Sequence, residues 1–541
     1  MLKKNYLLRS LFFSITYIFL FSTLTNAQTN EERKGLLKAK TILFVDNNDI
    51  LYYAGLKREL RKLTRDKNNP IISPGDKPWE KYLAYNSVYK NPETGKYQLW
   101  YQSYVGSKTP DKTLRCVVAY AESEDGIHWN KPDLDIHPFY DIKKTNIVLL
   151  SNEGHSVHYG ASVIVNQNET DSSKRYKMAY WDFVVKGRGE THGLCIAFSH
   201  DGIHWKKYSD NPVLTGAYGN KEQPPYKSGD EKEEDVITAA ISDVIDVTYD
   251  SLREKYVIYS KTWIDGPQGN MFWKRAVART ESNDFIHWST PQLVMWPDGI
   301  DAERSLAALA SPDRKKLSEE LREKVKGVQL HSGPAFYYNG IYFSLLQVLD
   351  FDITGLMPTE LAISRNGIDW QRPFQNDYFI PVDGDKQFDS GTIWTSSTPI
   401  FQKDEIWFYY GAYIDWHVDN PEYKVKQLSG IGLAVMPRDR FAYLKPIDRF
   451  GQVTLKPINL NKYKGITLNA DATSAVVSVE ILDENGYRIK GFTKEDSKSI
   501  TGDSIKHNVS WGGKSISDLP NGKYLIRIFS DNAKLYAITL Y

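Results

Sequence analysis

The chain is poor in cysteine, with only Cys116 and Cys195 among 541 residues. That excludes a disulfide framework, and no Cys/His spacing reads as a zinc site. Two buried free thiols are the reading that remains. Charge of one sign is also missing. Sixty-eight basic side chains against 67 acidic ones leave a net charge of +1. No nucleic acid and no anionic membrane surface is therefore implied as a partner. Long hydrophobic runs are absent beyond the N-terminus, which excludes a membrane-spanning helix in the mature chain. The single apolar run, Leu11 to Leu24, follows Lys3, Lys4 and Arg9 and precedes Thr25-Asn26-Ala27. This order reads as an export signal cleaved after Ala27, with an uncleaved anchor as the alternative. No cysteine follows the run, so a lipid anchor is not supported. A soluble periplasmic or secreted protein is expected.

Aromatic residues, in contrast, are abundant: 14 Trp and 35 Tyr, a bias that suits β-strands and also sugar stacking. One aromatic pattern recurs. It reads Ser-Glu-Asp-Gly-Ile-His-Trp at Ser123–Trp129 and Ser-His-Asp-Gly-Ile-His-Trp at Ser199–Trp205. It returns as Ser-Asn-Asp-Phe-Ile-His-Trp at Ser282–Trp288 and Ser-Arg-Asn-Gly-Ile-Asp-Trp at Ser364–Trp370. The tryptophans lie 76, 83 and 82 residues apart, and a fixed period of this kind means a repeat architecture. Each copy follows a short apolar run. Strand, polar turn and aromatic anchor together mark one propeller blade. The aspartate bonds amides further on, and the glycine takes the left-handed conformation. Phe285 replaces that glycine in the third copy, and Asn366 replaces the aspartate in the fourth. His128, His204 and His287 recur with the turn, so they serve the blade. A degenerate fifth copy runs from Gly430 to Phe441. The count is five blades.

Residues 28 to about 40 read as a polar tail. Thr41–Tyr53 reads as a strand that closes the ring as the outer strand of the last blade. Asp301 to Lys326 interrupts the period, and Arg314–Val325 within it has helical composition. From about Gly451 the period stops. Alternating short strands then point to a small β-sandwich, either a packing module or a carbohydrate binder. The expected organisation is a signal (1–27), a five-bladed β-propeller (28–450) and a C-terminal β-sandwich (451–541): an all-β chain.

The five repeats, their Ser-x-Asp-Gly-x-x-Trp turns and the Gly-Leu-Ala…Asp-x-Phe ending resemble the five-bladed β-propeller glycoside hydrolases. The likeness is family 32-like, within the wider group of families 32, 43, 62, 68 and 117. It implies acidic residues at the inner-strand starts, pointing into a funnel on the propeller axis. One carboxyl would protonate the leaving oxygen, while another attacks or activates water. By that resemblance the candidates are Glu80 before blade one, Asp243 in blade three, Glu360 in blade four and Asp389 in blade five. A turn or surface salt-bridge role is the alternative for each. Asp243 and Asp246 are three apart in a strand and face opposite ways, and Asp243 is chosen as nearer the strand start. Trp79, His155, His158, His331 and Trp394 are the candidate sugar contacts. The blade-one aspartate motif of families 32 and 43 is absent. A carbohydrate, from a plant or algal glycan, is the expected substrate. No cofactor is required, and a structural calcium ion is compatible with the group but demanded by no motif. Two other readings stand beside hydrolysis. One is a non-catalytic carbohydrate-binding propeller. The other is a phosphorylase of the same fold, with Arg275, Arg279 or Arg372 holding phosphate.

Overall fold

The computed structural model describes residues 39–75, 77–105, 116–150, 159–186, 189–216, 240–266, 273–309, 327–350, 354–382, 387–414 and 429–541. The segment read as an export signal, His155, His158 and Arg314–Val325 lie outside these residues. Contacts divide the chain into two units. One is Leu60–Arg438; the other joins the described residues up to Glu59 with Asp439–Tyr541.

The first unit is the five-bladed propeller. Blade one is an antiparallel sheet of Tyr82–Lys90, Tyr97–Tyr104, Cys116–Ser123 and Ile147–Leu149, in that order. Blade two is built on Tyr159–Val165, Tyr176–Lys186 and Gly189–Ser199. Blade three takes Ile245–Asp250, Lys255–Ile264, Lys274–Ser282 and Gln292–Met295. Blade four centres on Ile341–Leu349 and Thr359–Ser364, with Gln329–Ser332 and Ala335–Tyr338 inside them. Blade five has Thr392–Trp394, Glu405–Tyr413 and Ser429–Pro437. Its outermost strand is Thr64–Arg65, paired to Val435 and Ala434. The segment just before blade one thus closes the ring, as a circular array needs.

That strand is not the one expected. Lys40–Leu43 pairs with Lys534–Leu540, and Ile50–Ala54 pairs with Phe450–Leu455, so the stretch around Thr41–Tyr53 belongs to the C-terminal unit. There, ten strands form one hydrogen-bonded sheet that folds over a shared core. The 18-residue strand Ile466–Asp483 serves both halves: its start pairs with Lys534–Leu540 and its end with Lys523–Asp531. Ile42, Leu468 and Ile538 from one half meet Val453, Val477 and Ile528 from the other, which makes the unit a sandwich. The only described helix near the expected insertion is Gly299–Leu309. Among the described residues no helix is long and apolar enough to cross a membrane. Both cysteines are buried and unbridged.

The repeated turn is built the same way four times. In the first copy the Ser123 Oγ accepts from Gly126 N at 2.8 Å. Asp125 Oδ1 accepts from the amides of Ile127 and His128, each at 2.8 Å, and Oδ2 meets His128 Nδ1 at 2.7 Å. These bonds, led by the one from His128, hold the Asp125 carboxyl far below the usual range. In the second copy burial works upward, yet the bonds from His204 and Ile203 keep Asp201 at about 2. The fourth copy swaps both partners: Asn366 Nδ2 donates to Asp369 Oδ2 at 2.6 Å. An acid–imidazole pair becomes an amide–acid pair, and the contact survives.

The glycine carbonyl is where blades are joined. Gly202 O accepts from its own Trp205 Nε1 at 2.9 Å and from Trp100 Nε1 of blade one at 2.6 Å. Gly126 O receives Tyr409 Oη of blade five, and Gly367 O receives Tyr259 Oη of blade three, both at 2.8 Å. A Cβ on Gly202 would stand 2.5 Å from the Trp100 ring. Phe285 breaks the pattern with a positive φ of 70° and full burial. Its compensation lies in the preceding blade. The register sets Tyr97, Tyr176 and Tyr256 opposite Ser123, Ser199 and Ser282. Three residues on stand Trp100, Ala179 and Tyr259. Ala179 is the small member, and it shares a buried cluster with Phe285. The Phe285 ring fills the volume that the other interfaces fill from the preceding blade.

Candidate active site on the propeller axis

Tyr82 and Tyr85 of blade one, Val244 of blade three, Leu349 of blade four and Trp394 and Tyr413 of blade five form one buried cluster. In a ring of five, only the axis brings non-adjacent blades together. Below it, hydroxyls link neighbouring inner strands. Ser87 Oγ accepts from Val163 N at 3.0 Å, Ser162 Oγ from Val247 N at 3.1 Å, and Thr398 Oγ1 from Val88 N at 3.1 Å. Asp246 holds the matching place in blade three. Its Oδ1 accepts from Ser397 N of blade five at 3.1 Å, across the axis. Burial pushes this carboxyl up to about 7, and the bonds from Ser397 offset that only in part.

Above this girdle stands Asp243. It forms an ion pair with Lys261 Nζ and accepts from Ser242 Oγ at 3.0 Å. Lys261 lies on the second strand of the same blade, and burial lowers its pKa against the opposing pull of Asp243. Arg275, on the third strand, sits over the Trp263 ring at 4.9 Å and donates through Nη1 to Gln329 Oε1 at 3.0 Å. From blade four comes His331, edge-on to the Trp394 ring at 5.1 Å. Trp394 in turn meets Tyr85 at 5.1 Å. Burial first, then the charges of Lys261 and Arg275, hold His331 well below its usual pKa, so the ring is neutral at pH 7. Its tautomer follows from the hydrogen bonds. Thr395 Oγ1 donates to Leu345 O at 2.7 Å, so it accepts from Gln347 Nε2 at 3.2 Å. That turns Gln347 Oε1 toward His331 Nδ1, 3.1 Å away. The proton is therefore on Nδ1, and Nε2 carries the lone pair.

Asp243, His331 and Trp394 are thus brought together; Glu80, Glu360, Asp389 and Trp79 are not, and His155 and His158 lie outside the described residues. Glu80 is buried in a blade-one network, accepting from Tyr101 Oη at 2.6 Å, Lys131 Nζ at 2.5 Å and Gly75 N at 3.0 Å. Asp389 repeats that design in blade five, with Arg65 Nε at 2.7 Å and Tyr410 Oη at 2.8 Å. Arg65 is on the outermost strand, so the carboxyl points away from the axis. Glu360 is buried beside Arg372, whose Nη2 lies 2.7 Å away while both Nη atoms also hold Asp301. Burial raises Glu360 and Arg372 pulls it back. Trp79 is no sugar floor: it is fully buried, and its Nε1 donates to Asn146 Oδ1 at 3.0 Å. In each case an acid or indole near a strand start serves its own blade. Arg372 is spent on this pairing and Arg279 on Glu281, so the three arginines considered for phosphate do not converge. Among the described residues no group of three or more His, Cys, Asp and Glu is placed to hold a metal.

Sequence reasoning did not single out Lys261, Gln347 or Tyr85, and it set Asp246 aside in favour of Asp243. The alternation rule failed because the backbone bends at Asp243, before the strand opens at Ile245. A usable signal did exist. Five residues past Tyr97, Tyr176, Tyr256 and Tyr342, which the register makes equivalent, stand Gln102, Trp181, Lys261 and Gln347. Positions that hold the blades together repeat, whereas this one is glutamine in two blades, tryptophan in one and lysine only in blade three.

No family model matches the chain. Several solved structures are similar to it. An N-acetylgalactosamine deacetylase from F. plautii, in complex with blood group B trisaccharide, is 13% identical over 71% of this chain and 96% of its own, with a TM-score of 0.42. The Bombyx mori family 32 β-fructofuranosidase is 12% identical over 87% of this chain and 92% of its own, with a TM-score of 0.40. A thermostable family-43 glycoside hydrolase is 11% identical over 66% of this chain and 91% of its own, with a TM-score of 0.38.

Proposed function

We propose that the chain is an exported glycoside hydrolase that cleaves a poly- or oligosaccharide at the axial end of the propeller, where Asp243 stands. The reading rests on one observation: a carboxylate, a neutral histidine and an aromatic pair from different blades meet at the axis. Asp243 beside Lys261 suits the carboxylate that attacks, or activates water, at an oxocarbenium-like carbon. His331, held neutral, suits a polar group beside the carboxylate that adds no charge of its own. Trp394 and Tyr85, packed edge to face, form the apolar wall behind these groups. The leaving-group proton falls to an acid other than Glu80, Glu360 and Asp389, since each of those is committed to its own blade.

The test is a sugar-release screen of the mature chain on polysaccharides and aryl glycosides, with Asp243→Asn run in parallel. Release by the parent should fall at least about 100-fold in the variant. A variant that keeps the parental rate would remove Asp243 from the chemistry. Binding without release in both chains would favour the non-catalytic propeller.

A further inference from the structure

The C-terminal unit carries a concave pocket of ≈ 650 Å³, lined by Phe450, Gln452, Ser478, Lys494, Phe529 and Asp531 among others. The strand register explains why these residues meet. Ala54 pairs with Gln452, Gln452 with Phe529, and Phe529 with Ser478, so one row crosses four strands. The next row runs from Phe450 to Asp531 to Val476. Alternation puts both rows on the same face, opposite the core residues Val453, Val477 and Ile528.

This face is unusual for a surface sheet. Phe450 is 63% exposed and Val476 39% exposed, although aromatic rings of this size are normally covered. Lys494 Nζ stands 4.9 Å over the Phe529 ring. Arg449 reaches Asp531 through Nε at 2.9 Å and Nη2 at 3.1 Å and lies over the Phe450 ring. The side chains of Gln452 and Ser478 hydrogen-bond to no other described residue. The pocket therefore offers aromatic faces, an uncommitted amide, an uncommitted hydroxyl, and cations matched by a carboxylate.

We propose that this pocket is a second, non-catalytic binding site for a neutral saccharide. A pyranose or furanose ring has an apolar C–H face, which the phenylalanines can cover, and a rim of hydroxyls, which Gln452 and Ser478 can bond. Arg449 is paired with Asp531 and Lys494 lies over the Phe529 ring, so neither cation is presented alone to select an anion. The volume is within the range of small-ligand pockets. The site is independent of the axial reading, and it would anchor a polymer wherever the catalytic chemistry resides.

The test is affinity electrophoresis of the full chain in gels containing soluble xylan, arabinan, galactan or laminarin, with a polysaccharide-free gel as reference. Retardation should appear with at least one polymer. Phe450→Ala and the Gln452→Ala/Ser478→Ala pair should each weaken it by about tenfold. Release of sugar from a small aryl glycoside should be unchanged in both variants, which separates this site from the axial one. Phe450 is exposed, so its variant keeps the parental melting temperature. Unretarded migration in every gel would overturn the proposal. So would retardation that survives both variants, or self-association of the parent that Phe450→Ala abolishes.

Discussion

Asp246→Asn should make the propeller more stable at neutral pH, and the gain should grow with pH. The Asp246 carboxyl titrates near 7 in the folded chain because burial disfavours its charge, while an aspartate in an unfolded chain titrates near 4. Between these values the folded state keeps a proton that the unfolded state releases. Stability therefore falls as pH rises through the interval, is fully present below about pH 4, and stops falling above about pH 7. At about 1.4 kcal/mol per pH unit over roughly three units, the loss reaches about 4 kcal/mol as an upper figure. Asparagine keeps an oxygen for Ser397 N and has nothing to ionise. Urea unfolding followed by tryptophan fluorescence, at pH 4.5, 6 and 8, measures parent and variant together. Groups that titrate in both chains cancel in the difference. The variant-minus-parent difference should rise by several kcal/mol from the lowest pH to the highest. A difference that stays flat over that range would mean that Asp246 is not a buried acid on the axis, and the geometry built around it would fall.

The inter-blade junctions make their own predictions. Phe285→Gly should cost about 1–4 kcal/mol, because a buried phenyl is worth about 3–5 kcal/mol and the left-handed backbone returns about 1–2. Ala179→Tyr alone should overpack the junction by about 1–3 kcal/mol, yet the double variant should recover most of both losses in a denaturation cycle. In the fourth turn, Asn366→Asp should cost about 1 kcal/mol, by losing a hydrogen bond and facing Asp369 with a second carboxylate. Adding Asp369→His should restore the melting temperature, since it rebuilds the acid–imidazole pair of the other three turns.

The blades were legible because their parts recur. Ser123, Asp125, Gly126 and Trp129 are held by short-range bonds within seven residues, so the same spelling returns wherever the same turn is needed. Ring closure was not legible. Thr64–Arg65 is two residues long, and nothing local marks it as the outer strand of a sheet whose other strands lie more than 300 residues away. The acids divide along the same line. Glu80 and Asp389 looked alike in sequence, each before an inner strand, and they are alike in structure: a tyrosine on the second strand and a cation further out hold each one. Their similarity was the evidence against catalysis, because a feature copied in two blades answers a need that both blades share. A site on the axis is built once, where every blade contributes differently. Lys261, His331 and Trp394 have no counterparts around the ring, and their meeting depends on the angle between blades rather than on any run of residues. In a repeat protein the fold is written in what recurs and the site in what does not. The residue most worth mutating is therefore Asp243, whose partner Lys261 replaces Gln102, Trp181 and Gln347 of the other blades.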